Sequence, residues 1–198
     1  MSEPRKNEAV KIAQQQHESD DTTKKKNNQV TPVSQQENDE EWGISASNDG
    51  VTFDYPEIKY EFLDNTADVQ LHAWGDSIEE AFEQIGMAMF GYMTDIERIE
   101  NKEMKEIDIQ AEGDLMNLLY KFLCEWLEVH GTEDYFIARK IEISEFDRQN
   151  LRIIARGFGE QFDIKKHTQG TEVKAITYSN MQIHEEKPTN DVYVIVDI

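Results

Sequence analysis

The chain has 198 residues, 41 of them acidic and 20 basic, for a formal charge of −21. That length suits one domain with an appendage, and that charge argues against strong RNA binding, because phosphates are held by clustered Lys or Arg. The lone cysteine, Cys124, excludes an intrachain disulfide; MSEPRKNEAV lacks the apolar core of a secretion signal, and no run nears the roughly 18 apolar residues of a membrane helix, so cytosol or nucleus is the expected compartment.

Composition changes along the chain. Residues 1–56 are dominated by Gln, Asn, Lys, Glu, Ser and Thr and carry too little apolar surface to offset the entropy of ordering. A disordered polar tail is expected there. Residues 57–198 carry 14 basic and 30 acidic side chains and are long enough to build a core. Ile58–Leu63 reads as a short strand. Val69–Trp74 alternates Val69, Leu71 and Ala73 against Gln70, His72 and Trp74, the strand period; His72 then reads as a surface histidine.

Gly75-Asp76 turns the chain. Asp76 or Ser77 caps a helix, Ser77 and Glu80 having capping-box spacing, and Ile78, Ala81, Phe82, Ile85, Ala88, Met89 and Met93 share one helical face, with Glu79, Glu80 and Glu83 opposite. Lys105–Ala111 alternates as a strand. Gly113-Asp114 opens a second helix whose Leu115, Leu118, Leu119, Phe122, Leu123, Trp126 and Leu127 form a buried face, with Gly131 as its stop signal. Cys124 lies within that pattern, which argues against a nucleophilic role.

Strands are expected at 135–146 and 151–157, joined by an Asp147–Asn150 hairpin loop. A Gly- and Lys-containing loop over 157–170 follows. Further strands are expected at 172–179, 181–184 and 191–198, with a turn at 187–190. The order ββα, βα, then a run of strands predicts an α+β layered fold, mostly antiparallel or mixed, with two main helices.

Three features bear on chemistry. Asp64-Asn65-Thr66-Ala67-Asp68 has partial EF-hand spacing, but Val69 replaces the glycine and Gly75 the glutamate such a loop requires, so it reads as a turn. The ending DVYVIVDI reads as a well-covered central strand. Asp197 on it needs a cation, a proton or a metal, and the Ile198 carboxylate beside it adds weight to a metal. Lys174 in GTEVKAITY sits mid-strand, either as the salt-bridge partner of an acid or as a partner contact. Gly157-Phe158-Gly159 lacks the lysine and helix start of a phosphate loop.

KYEFLDNTADVQLHAWGDSIEEAFEQIGMAMFGYMTD, GTEVKAITYSNMQIHEE and VYVIVDI together resemble the archease family over residues 57–198. The resemblance implies a small acidic cofactor of the RtcB-type RNA ligase, which joins tRNA exon halves with GTP and a divalent metal. The family role is to promote ligase guanylylation and multiple turnover; in animals it belongs with the tRNA-splicing ligase complex and a DEAD-box helicase. The family's metal, calcium in crystals with Mn2+ or Mg2+ as alternatives, falls by resemblance on Asp68, Asp197 and Ile198. Lys174 matches a lysine implicated in activity, and Asn65 stands where the family usually has histidine. A metal-dependent phosphohydrolase and a general chaperone or scaffold are the competing readings.

Overall fold

The computed structural model describes residues 54–185 and 188–198. The expected tail therefore lies outside the described residues except for 54–56, as does Lys187 of the expected turn. The first two strands form a hairpin. β1 (Tyr60–Asn65) and β2 (Asp68–Gly75) pair antiparallel from Tyr60↔Ala73 to Asn65↔Asp68. Thr66-Ala67 makes the turn, and Ala67 adopts a left-handed φ of +66°, a conformation costing a non-glycine residue about 1 kcal/mol.

Helix α1 (Ile78–Met93) follows. The Ser77 hydroxyl accepts the Glu80 N–H at 3.2 Å, as the capping-box spacing predicts. The Glu80 carboxylate, however, accepts from Asp76 N–H at 2.6 Å, one residue earlier than expected, while also pairing with Lys59 at 2.6 Å.

The sequence pattern anticipates one buried stripe on α1, but Gln84, Met87 and Phe90 are buried as well. The cause is position: α1 packs against β2 on one side and the long strand β4 (Phe136–Asp147) on another, and a helix covered on several sides is buried nearly all round. Gln84, 1% exposed, satisfies its amide by accepting the Lys59 N–H and donating to the Glu57 carbonyl, at 2.9 and 2.8 Å.

Glu83, expected on a solvated face, instead accepts the Ile143 N–H at 2.7 Å. Burial pushes its carboxyl up to about 7, with Glu142 and Glu80 adding repulsion and the Ile143 N–H and Lys140 opposing. A carboxyl raised in the folded state binds more protons folded than unfolded, so its contribution is full below about pH 4.5 and is lost as pH rises through 7. Glu83→Gln keeps an acceptor for Ile143 without the charge. It should raise stability at pH 8 by roughly 1–2 kcal/mol and leave it nearly unchanged at pH 4, as read by urea denaturation at the two pH values.

After a short 3-10 turn at Ile96–Arg98 come β3 (Glu103–Gln110), α2 (Leu115–Thr132), β5 (Arg152–Gln161), β6 (Ala175–Ile176), β7 (Gln182–His184) and β8 (Asn190–Asp197). All pairings among the described residues are antiparallel. One sheet runs β1-β2-β8-β6, with β7 also on β8, and the other runs β3-β5-β4. The described residues form an α+β architecture with two sheets and two main helices, as the element order implies.

Two boundaries differ from expectation. α2 passes through Gly131 and stops at Thr132, because the left-handed pair Asp134 and Tyr135, φ +54° and +61°, ends it. The expected strand over 172–179 shrinks to Ala175–Ile176. Val173 and Ile176 are both buried while Glu172, Lys174 and Ala175 are exposed, so strict alternation fails.

Candidate functional site

The register of the first sheet brings together residues that are far apart in sequence. β2 and β8 pair from Gly75↔Asn190 to Val69↔Val196, and the next position in that register sets Asp68 beside Asp197. On its other side Asp197 pairs with Ala175, and its carbonyl accepts the Lys174 N–H at 2.8 Å. Asn65 is the partner of Asp68 across the hairpin. One end of the sheet is thus a rim of Asn65, Asp68, Asp197 and Lys174, with Ile198 next in line.

Directly opposed residues of an antiparallel pair project to the same face, with Cβ atoms roughly 4.5–5.5 Å apart. The face shared by Asp68 and Asp197 is opposite the core, since Val69, Leu71, Val194 and Val196 point inward. β8 is the inner strand, flanked by β2 and by β6 and β7. Asp197 is nevertheless exposed, which corrects the expectation that burial forces a counter-ion on it. Asp68 is half-buried. Among the described residues neither aspartate, nor the exposed Lys174, forms an ion pair, so Lys174 is not the structural salt-bridge lysine that one reading anticipates.

The donor set at the rim consists of hard oxygen ligands, the kind that Ca2+, Mg2+ and Mn2+ take. Among the described residues no group of three or more His, Cys, Asp or Glu side chains is arranged to hold a metal. Any cation here would therefore be held by two carboxylate side chains together with main-chain or external oxygen. The residues fit an open, oxygen-only site.

A second cluster on the same outer face escapes sequence reasoning. His72 lies between Glu61 and Asp191, each ring nitrogen 2.9 Å from a carboxylate oxygen. Its ring stacks on Tyr193 with centroids 4.1 Å apart. The histidine fastens β1, β2 and β8 together across their outward face. Its alternation with apolar residues places it outward, but the carboxylate partners lie in other strands and become visible only with the register. Cys124 is half-buried in α2 and burial pushes its thiol up, in keeping with an inert role.

The archease protein family matches residues 60–198. The chain belongs to the archease family. The archease of Danio rerio is 50% identical over 165 residues, covering 81% of this chain and 99% of that one. An archease-like protein of Drosophila melanogaster is 50% identical over 145 residues, 72% of this chain and 92% of that one. The archease of Pyrococcus abyssi is 38% identical, over 64% of this chain and 89% of its own length. Among solved structures, the solution structure of Methanobacterium thermoautotrophicum protein 1598 aligns with a TM-score of 0.60 at 35% identity, covering 72% of this chain and all of that one. The archease match takes in both halves of the rim, Asp68 and Lys174–Ile198. Among the described residues no helix is long and apolar enough to cross a membrane.

Proposed function

We propose that this archease is a non-catalytic activator of an RtcB-type tRNA-splicing RNA ligase, acting in cytosol or nucleus with the ligase complex and its DEAD-box helicase. The reading rests on family membership, and the observation that carries it is the rim. The sheet register aligns Asp68 with Asp197 and ties Lys174 to the same strand end. Asp68, Asp197 and the α-carboxylate of Ile198 are the groups that would hold a divalent ion, with Ca2+, Mn2+ and Mg2+ all suited to such oxygens. A divalent ion supplies charge neutralisation to triphosphate chemistry.

The chain's own residues account for the rest. Lys174, exposed and without an ion pair among the described residues, is available to a phosphate or to an acidic group on the ligase. The acidity of the domain lets it approach a basic RNA-ligase active site without competing for the RNA. Asn65, beside Asp68 in the register, can donate and accept a hydrogen bond but cannot shuttle a proton as histidine does.

Single-turnover guanylylation of the ligase is the test. Asp68→Ala should slow the stimulated rate by roughly tenfold or more, the scale seen when metal-site groups are lost, and Asp197→Ala should do the same. One residue added after Ile198 should also impair stimulation. Equal rates for wild type and Asp68→Ala would remove the carboxylate rim from the mechanism.

A further inference from the structure

Away from the rim, a cleft of about 290 Å3 lies between the end of α2, the start of β4 and the segment 169–172. Its floor is apolar, formed by Met93 and Ile137, both buried. Two aromatic side chains flank it, Tyr135 and Phe162, and the Phe162 N–H donates to the Tyr135 carbonyl at 3.0 Å. Tyr135 is 61% exposed, which is unusual for a tyrosine beside a core, and its left-handed backbone fixes it there. The polar lining comes from Gln169, Glu172 and His130. His130 Nδ1 faces the Phe136 carbonyl at 3.0 Å; a carbonyl only accepts, so Nδ1 carries the hydrogen and Nε2 is left as an acceptor in the neutral ring. Glu172 is exposed and forms no ion pair among the described residues. Among the described residues no lysine or arginine lines the cleft.

We propose that this cleft receives an arginine side chain of a protein partner. An apolar floor accommodates the aliphatic stem. Aromatic walls suit a guanidinium plane by cation–π contact and stacking, and a rim carboxylate offers it paired hydrogen bonds. Arginine is among the side chains that dominate interface energies when they fill such pockets. The charge is complementary, since residues 57–198 hold 30 acidic side chains against 14 basic ones.

The cleft is also continuous with the rim. The strap forming one wall is held by Gly170 N–H to the Met93 carbonyl at 2.8 Å and Thr171 N–H to the Tyr92 carbonyl at 3.3 Å, and it runs on to Lys174 N–H on the Asp197 carbonyl. A partner engaging Lys174 and Asp197 would find the cleft two residues further along the same strap. The inference rests on the function proposed above only for the identity of that partner.

The test is an amide NMR titration of the full chain with acetyl-Gly-Arg-Gly-amide, and with the same peptide carrying neutral citrulline or lysine in place of arginine. Saturable shifts are expected at Gln169, Gly170 and Tyr135, with about tenfold weaker binding for the citrulline peptide and for the Glu172→Gln protein. Asp68→Ala protein should bind the arginine peptide as wild type does, which separates this inference from the guanylylation result. Equal binding of arginine and citrulline, wild-type binding by Glu172→Gln, or shifts elsewhere on the surface would overturn it. A lysine peptide binding as tightly would overturn the choice of arginine.

Discussion

Gly159→Ala should cost about 4 kcal/mol or more, a large fraction of the stability of a typical domain. A Cβ built on Gly159 would lie 1.8 Å from the Ile137 carbonyl oxygen and 3.0 Å from Ala138 Cα. Both obstacles are main chain, so no side chain can swing away. Gly159 pairs with Ala138 where β4 carries a register shift between Ala138 and Lys140, and this bulge presses the β4 backbone onto β5. Gly157, two residues back on the same face, makes room for the fully buried Trp126 ring, which a Cβ would meet at 2.7 Å. Thermal unfolding of Gly159→Ala should show a midpoint lowered by roughly 12 °C or more, or the variant should fail to accumulate as folded protein. A midpoint within about 3 °C of wild type would mean that β4 and β5 pack differently from this description.

Glu160→Gln should cost about 2–3 kcal/mol at pH 7. Glu160 is 5% exposed and its carboxylate accepts from Glu100 N–H at 2.7 Å, Lys102 at 2.7 Å, Lys166, and His167 Nε2 at 3.2 Å. The histidine tautomer is set by Asp163, whose N–H donates to Nδ1 at 2.9 Å, so Nε2 carries the hydrogen that reaches Glu160. Burial alone would raise this carboxyl, but the two lysines, the Glu100 N–H and His167 hold it down at about 2. A glutamine turns its amide hydrogens toward groups that are themselves donors. The penalty stays below that of an isolated buried pair because Lys102 and Lys166 reach solvent, at 56% and 34% exposure.

The pH dependence follows from the sign of the shift. A carboxyl lowered in the folded state contributes fully above its unfolded value, near 4.5, and that contribution is lost as pH falls toward 2. The gap between wild type and Glu160→Gln in urea denaturation should therefore narrow from pH 7 to pH 3. A gap unchanged over that interval would show that the cost is packing rather than charge. Glu83 acts in the opposite sense at higher pH, so the stabilising contributions of these two carboxyls overlap on the acid side of neutrality.

How much of this was legible in the sequence depends on whether a residue's partners are local. The α1 start is a local device, and Ser77 with Glu80 identified it. The two-faced pattern of Val69–Trp74 located β2 because burial on one side of a sheet writes a period of two. The spacing of α1 puts Glu83 on a solvated face because its partner, Ile143, is 60 residues away and local spacing cannot reveal a second sheet packed on the helix. The strand expected over 172–179 has the right residue types, but β8 pairs with both β6 and β7 along its length, and only Ala175 and Ile176 join the ladder regularly. Gly157-Phe158-Gly159 carries no local sign of its packing role, which depends on the distant β4 backbone and the Trp126 ring. Asp68 and Asp197 are joined in the sequence only by the family resemblance, whereas their adjacency in space is a property of the register.

The rim is assembled from elements of unequal permanence. β8, which carries Asp197, is an inner strand, but Asp68 sits at the end of an outer hairpin and Lys174 on a strap that joins the ladder through two residues. Amide hydrogen exchange should therefore divide the site. The α1 core and the middle of β8 should open only with the whole domain, while the Thr66-Ala67 tip and the 169–174 strap should exchange through local fluctuations. The site would then join two locally fluctuating segments to a strand that is paired on both sides.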